Sequence, residues 1–173
     1  MRQLFLAAAA AVALAGLGAG PALAGKVEIK QAHVCCGQCE KGATAVLAKV
    51  DGVSDAAADK TSKTITFTTK DDKTTAAALK ALADAGFYGA ATDDGKEVKI
   101  DVAAPKKGDK ADEVTVKDIH LCCPRCKATV QMLFKDATVD FPDKNQAKIT
   151  GKALDKAEVL ETLHKAGFNG KIE

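Results

Sequence analysis

Tryptophan is absent from this 173-residue chain, tyrosine occurs once and phenylalanine six times. So few rings leave little for stacking bases or building a sugar platform. Excess charge is missing too. The 25 basic residues, almost all lysine, are balanced by 23 acids and interspersed with them. Such a balance argues against nucleic acid or an acidic lipid surface as the main partner. No GxSxG, HExxH or P-loop sequence occurs, so nothing points to an enzyme. Cysteine is missing everywhere except in two seven-residue stretches, "HVCCGQC" (33–39) and "HLCCPRC" (120–126), which hold all six.

A long spanning run is also lacking. The opening "MRQLFLAAAAAVALAGLGAGPALAG" has one positive charge at Arg2 and an apolar run from Leu4 to Leu17. That run is short of the roughly 20 residues a spanning helix needs. Small residues at Ala22 and Ala24 give an A-x-A-like cleavage site. The expectation is a signal peptide over residues 1–24 and a periplasmic or secreted mature chain with no membrane span. Without it the chain has 24 basic and 23 acidic residues, a net charge near zero.

What is present is a repeat. The cysteine motifs lie 87 residues apart. Asp59-Lys60 and Ile65-Thr66 match Asp143-Lys144 and Ile149-Thr150 at 84, and "ALADAGF" (81–87) matches "TLHKAGF" (162–168) at 81. A shrinking offset describes a tandem duplication whose second copy has lost residues in two connections, where loss is tolerated best. The stretch 103–112, "AAPKKGDKAD", has no apolar periodicity and reads as a linker. Domain 1 then covers 25–102 and domain 2 covers 113–173. Each is small enough for a core to be only marginally sufficient, and domain 1 is rich in alanine.

The order of elements is the same in both copies. Val27 and Ile29, or Val114 and Val116, alternate as on a strand. The cysteine motif follows, then a helical spacing through Ala43, Val46, Leu47 and Val50, echoed by Val130, Leu133 and Phe134. Two short strands come next, with Ile65 and Phe67, or Ala147 and Ile149, on one face. A second helix follows, for which Asp155 and Glu158 suggest a capping box, and Gly86 and Gly167 sit where a helix stops. With a closing strand this is βαββαβ: an α+β protein of two ferredoxin-like sandwiches in tandem.

Adjacent cysteines at the start of a helix favour thiolate chemistry, because exposed N-terminal amides stabilise the anion. A Cys-x-x-Cys across a loop and first turn converges two sulfurs on one point. Three thiolates and an imidazole suit Cu(I), Zn(II) or related soft ions, not Mg or Ca. The candidate ligands are His33, Cys35, Cys36 and Cys39, and His120, Cys122, Cys123 and Cys126, taken as one ion per domain. Cys35 and Cys122 either ligate or point away as free or disulfide-bonded thiols. His33 and His120 either ligate or stand beside the ligands. His164 has no counterpart in domain 1, where Asp84 takes its place, and reads as a helix-surface residue. Lys41 and Arg125 either lower thiol pKa values or are solvated charges.

On these residues the sequence resembles the heavy-metal-associated domain family of copper chaperones, mercury-binding periplasmic proteins and the N-terminal arms of metal-exporting ATPases. The family pattern Gly-Met-x-Cys-x-x-Cys aligns its cysteines with Cys36 and Cys39, and with Cys123 and Cys126. The "AGF" endings also match, and the resemblance implies that Phe87 and Phe168 pack beside the metal loop. Val34 and Leu121 replace the family methionine and take over its packing role. Three departures stand out: a third thiol, Cys35 or Cys122; a histidine for the glycine; and polar Gln31 or Asp118 where the family strand is apolar, which points to a bulge. The resemblance implies an exported carrier, scavenger or resistance protein for a soft metal, with a metal-transporting ATPase or another metalloprotein as partner. The alternative is an extracytoplasmic thiol–disulfide protein using the Cys-x-x-Cys pairs.

Overall fold

A computed structural model of the chain describes residues 25–173, so the expected signal peptide lies outside the described residues. Strand β1 (Gly25–Lys30) leads through the first cysteine motif into helix α1 (Gly37–Leu47). Strands β2 (Val53–Asp59) and β3 (Thr64–Thr69), helix α2 (Asp72–Asp84) and strands β4 (Ala90–Asp93) and β5 (Lys96–Val98) complete the first half. The second half runs β6 (Lys110–Lys117), α3 (Pro124–Leu133), β7 (Thr138–Asp143), β8 (Gln146–Asp155), α4 (Lys156–Lys165) and β9 (Lys171–Ile172). The protein is α+β, with two antiparallel sheets ordered β2-β3-β1-β4-β5 and β7-β8-β6-β9. The extra strand in the first half turns back at Asp94-Gly95, both at positive φ, as a two-residue hairpin turn requires. Among the described residues no helix is long and apolar enough to cross a membrane.

Alternation places Val27 and Ile29 of β1, and Val114 and Val116 of β6, on the buried faces. Helix α2 starts at Asp71, whose carboxylate accepts from the Thr74 amide at 2.7 Å. Helix α4 starts at Asp155, which accepts from the Ala157 and Glu158 amides. The same Asp155 accepts from Gly108 at 2.7 Å and so holds the end of the inter-domain stretch. Strand β6 begins at Lys110 and pairs there with Asp155, inside the expected linker. Alanines 32, 43, 78, 83 and 91 fill much of the first core. One continuous apolar cluster runs through both halves.

Gln31 and Asp118 follow their strands at φ 60° and 58°. A left-handed residue ends each ladder and turns the chain toward the cysteine motif. This is the local irregularity those two polar residues signalled, a break at the strand end and not a bulge within it.

Candidate metal centre

Each cysteine motif spans the turn from a strand to a helix. Cys36 and Cys123 are the helix N-caps, with extended backbones and no side-chain cap bond. Their carbonyls accept from Cys39 at 3.0 Å and Cys126 at 3.1 Å. This turn directs Cys39 and Cys126 inward, where both are fully buried, and leaves Cys35, Cys36, Cys122 and Cys123 half-buried. Pro124, at the first helical position, is pre-set for that geometry.

The two motifs face each other across the boundary between the halves. Cys35 Sγ lies 3.6 Å from both Cys123 and Cys126, Cys36 lies 3.7 Å from Cys122, and Cys39 lies 3.3 Å from Cys122. Within the motifs, Cys35–Cys39, Cys36–Cys39, Cys122–Cys126 and Cys123–Cys126 are 3.5–3.8 Å apart. All six are free thiols. Expected as one cluster per domain, the thiols instead form a single six-sulfur centre. The sequence could not show this, because each motif carries a complete-looking ligand set.

The halves are joined by exchanged contacts around that centre. Phe87 and Phe168 form an antiparallel bridge, with the Tyr88 amide donating to Gly167 and the Asn169 amide to Gly86, each at 3.0 Å. The imidazole of His33 stacks on Phe168 with ring centres 3.8 Å apart, and His120 lies on Phe87 at 4.3 Å. Each phenylalanine therefore covers the histidine of the other half's motif. Val34 and Leu121 are buried beneath the loops. Gly86 and Gly167 sit at φ 87° and 84°, and a β-carbon there would meet the His120 or His33 amide nitrogen. Read from sequence only as helix stops, they are also where the two backbones touch.

His164 is half-buried and held by partners rather than free on the helix surface. It stacks on Tyr88 at 3.6 Å, nearly parallel, and its Nε2 is 2.8 Å from Asn169 Oδ1. Asn169 also donates to the Ala83 carbonyl of the other half at 2.9 Å. Tyr88, Asn169 and His164 escaped the sequence reading as interface residues. A usable signal existed: the repeat continues beyond "AGF" to a second glycine, Gly89 and Gly170, so the residue between is held in an equivalent place.

Burial and contacts between the thiols set the electrostatics. It pushes Cys35 up to about 12 and also raises Cys122. Cys39 is held down, first by a hydrogen bond from the Cys126 thiol and also by His120; the same contact raises Cys126. Desolvation acts to raise Cys123, but the Cys126 amide and the Cys126 and Cys35 thiols outweigh it and bring Cys123 to about 7. His33 is lowered to about 4, chiefly by burial, and is neutral at pH 7. The Nε2 atoms of His33 and His120 are buried without a hydrogen-bond partner. Arg125 donates to the Cys35 carbonyl at 3.0 Å, tying one motif to the other, whereas Lys41 is exposed.

Several sets of three ligand atoms lie within 4.8 Å of one another: Cys35, Cys36 and Cys123; Cys36, Cys39 and Cys122; Cys122, Cys123 and Cys126; and His33, Cys35 and Cys126. The cluster can hold metal, and its donors are those of a soft ion. No protein-family model, curated protein or solved structure matches the chain.

Proposed function

We propose that this is an exported soft-metal-binding protein of the Cu(I) or Zn(II) class, acting in metal carriage, scavenging or resistance. The observation that carries the reading is the convergence of all six cysteines, as free thiols, on one point between the halves. A structural core has no use for six unbonded thiols in contact. The strand and helix order of each half supports kinship with the ferredoxin-like heavy-metal-associated domains, and so does placement of the cysteines at a strand-to-helix turn.

The chemistry is ligand exchange. Cys36 and Cys123 are half-buried and sit at helix N-termini, so they are the first thiolates an incoming ion meets. Cys39 and Cys126, fully buried, hold it away from water. Release runs in reverse: a partner's thiolate, on a metal-transporting ATPase or another metalloprotein, attacks the ion from the Cys36–Cys123 side. No bond other than metal–ligand bonds is made or broken, so no catalytic residue is required.

The test is equilibrium binding of Cu(I) and Zn(II) to the reduced chain, kept free of oxygen, against a chromophoric chelator. The expected result is tight binding of at least one of them, lost when Cys39 and Cys126 are both replaced by serine. No competition with the chelator, together with reversible formation of disulfides at thiol-buffer potentials, would replace this reading with the thiol–disulfide one.

A further inference from the structure

This inference rests on the soft-metal reading and concerns how many ions the centre holds. Six sulfurs make fifteen pairs. Eight of them lie between 3.3 and 3.8 Å. Cys35–Cys36, Cys36–Cys123 and Cys122–Cys123 lie within 4.8 Å, and Cys39 and Cys126 are each the strongest influence on the other's thiol. Connected in this way, the twelve pairs have the edge pattern of an octahedron, in which the remaining three, Cys35–Cys122, Cys36–Cys126 and Cys39–Cys123, take the place of opposite corners.

That shape decides between coordination numbers. Tetrahedral zinc needs four sulfurs all about 3.8 Å apart, given a bond of about 2.3 Å. Any four corners of an octahedron include an opposite pair, which stands about 1.4 edge lengths apart. Three mutually adjacent sulfurs are available everywhere, on every face. The middle of a 3.7 Å triangle lies about 2.1 Å from its corners, within about 0.2 Å of a metal–thiolate bond. The octahedron is thus a set of trigonal sites, and trigonal thiolate coordination is a habit of Cu(I).

We propose that the centre binds four Cu(I) ions as one cluster, one on each of four alternate faces, with every thiolate bridging two of them. One such set is Cys35-Cys36-Cys123, Cys36-Cys39-Cys122, Cys122-Cys123-Cys126 and Cys35-Cys39-Cys126. The first three are already grouped within 4.8 Å. The balance is simple: four Cu(I) bind, six thiols lose six protons to solvent, and the cluster carries two negative charges. No electron is transferred. Three of the four faces draw corners from both motifs and only Cys122-Cys123-Cys126 lies within one, so neither half can hold the cluster alone and every face shares its thiolates with the others. Loading is therefore cooperative. Half-buried His33 and His120, whose Nε2 atoms are sealed from water, stack on the buried rings of Phe168 and Phe87 beside the motifs.

Native mass spectrometry of the reduced full chain, titrated with Cu(I) without oxygen, tests this. The expected series passes from the metal-free form to four Cu(I) with one- and two-ion forms scarce. The loaded form should show the orange luminescence of a water-shielded copper–thiolate cluster and copper–copper scattering in X-ray absorption. Cys36→Ser removes a corner shared by two faces, and its loading should stop below four and lose cooperativity, although all three domain 2 thiols remain. Circular dichroism checks that the variant is folded. Two Cu(I) taken up independently, one abolished by Cys36→Ser and the other by Cys123→Ser, would overturn the cluster and leave the soft-metal reading standing. Tight binding of Zn(II) with Cu(I) uptake no higher than two would do the same. Failure to bind either metal would overturn both.

Discussion

His33 is an imidazole whose surroundings oppose its charge: burial first, with Cys39 acting the other way and the nearby Lys63 and His120 adding to the lowering. Its folded pKa, about 4, lies below the ordinary imidazole value of 6.5. Between these values the unfolded chain binds a proton that the folded chain does not. The contribution to stability is therefore complete above pH 6.5 and is lost as pH falls toward 4. His164, lowered by burial against Tyr88, acts in the same direction. Urea midpoints of the metal-free protein should fall from pH 7 to pH 5, and the fall should be shallower in His33→Asn. A slope unchanged in that variant would mean that His33 is solvated. Thiol reactivity offers a second residue-scale expectation. Cys123, near 7, should be alkylated well before Cys122, which burial raises. Peptide mapping after brief iodoacetamide treatment at neutral pH reads the order directly. Asn169 supplies a third. Asn169→Ala removes one of the two donors to the Ala83 carbonyl, which keeps the Gly86 amide, and takes away the partner of His164 Nε2, an expected loss of about 1 kcal/mol in unfolding free energy.

At the scale of elements, the decisive parts are the ends of α2 and α4. Each ends in a glycine at left-handed φ whose bare α-carbon admits the backbone of the other half. In Gly167→Ala the new methyl group meets Gln31 and His33 while the backbone is held in a costly region. A loss of about 2 kcal/mol or more is expected, read as a lower thermal midpoint with helix and strand content retained. A neutral result would show that the halves can separate without cost. Much of this level was legible in the sequence. Strand alternation at Val27 and Ile29, the helix start at Asp155 and the cysteine turn all follow from patterns inside one copy. The contacts between copies were not legible. They run largely through main-chain groups of Gly86 and Gly167, and their glycines already had a sufficient local meaning as helix stops. The ring of His164 likewise looked like one more polar position on a helix, because its partner Tyr88 lies in the other copy.

At the scale of the whole molecule, the six-thiol centre is the one feature that both halves must supply. Metal bound only by the folded form stabilises it by mass action, by about 4 kcal/mol when free metal is a thousandfold above the dissociation constant. The thermal midpoint should rise on loading and return on removal with a strong chelator. The gain should nearly vanish when Cys39 and Cys126 are both serine.

Phe87 and Phe168, each set against the histidine of the opposite half, give the chain the pattern of a two-fold homodimer whose protomers happen to be covalently joined. A centre built between separate subunits would dissolve on dilution, and its occupancy would track how much protein the cell makes. Here the connection through residues 103–112 removes that dependence. A single copy is enough to form the centre, however scarce the protein becomes.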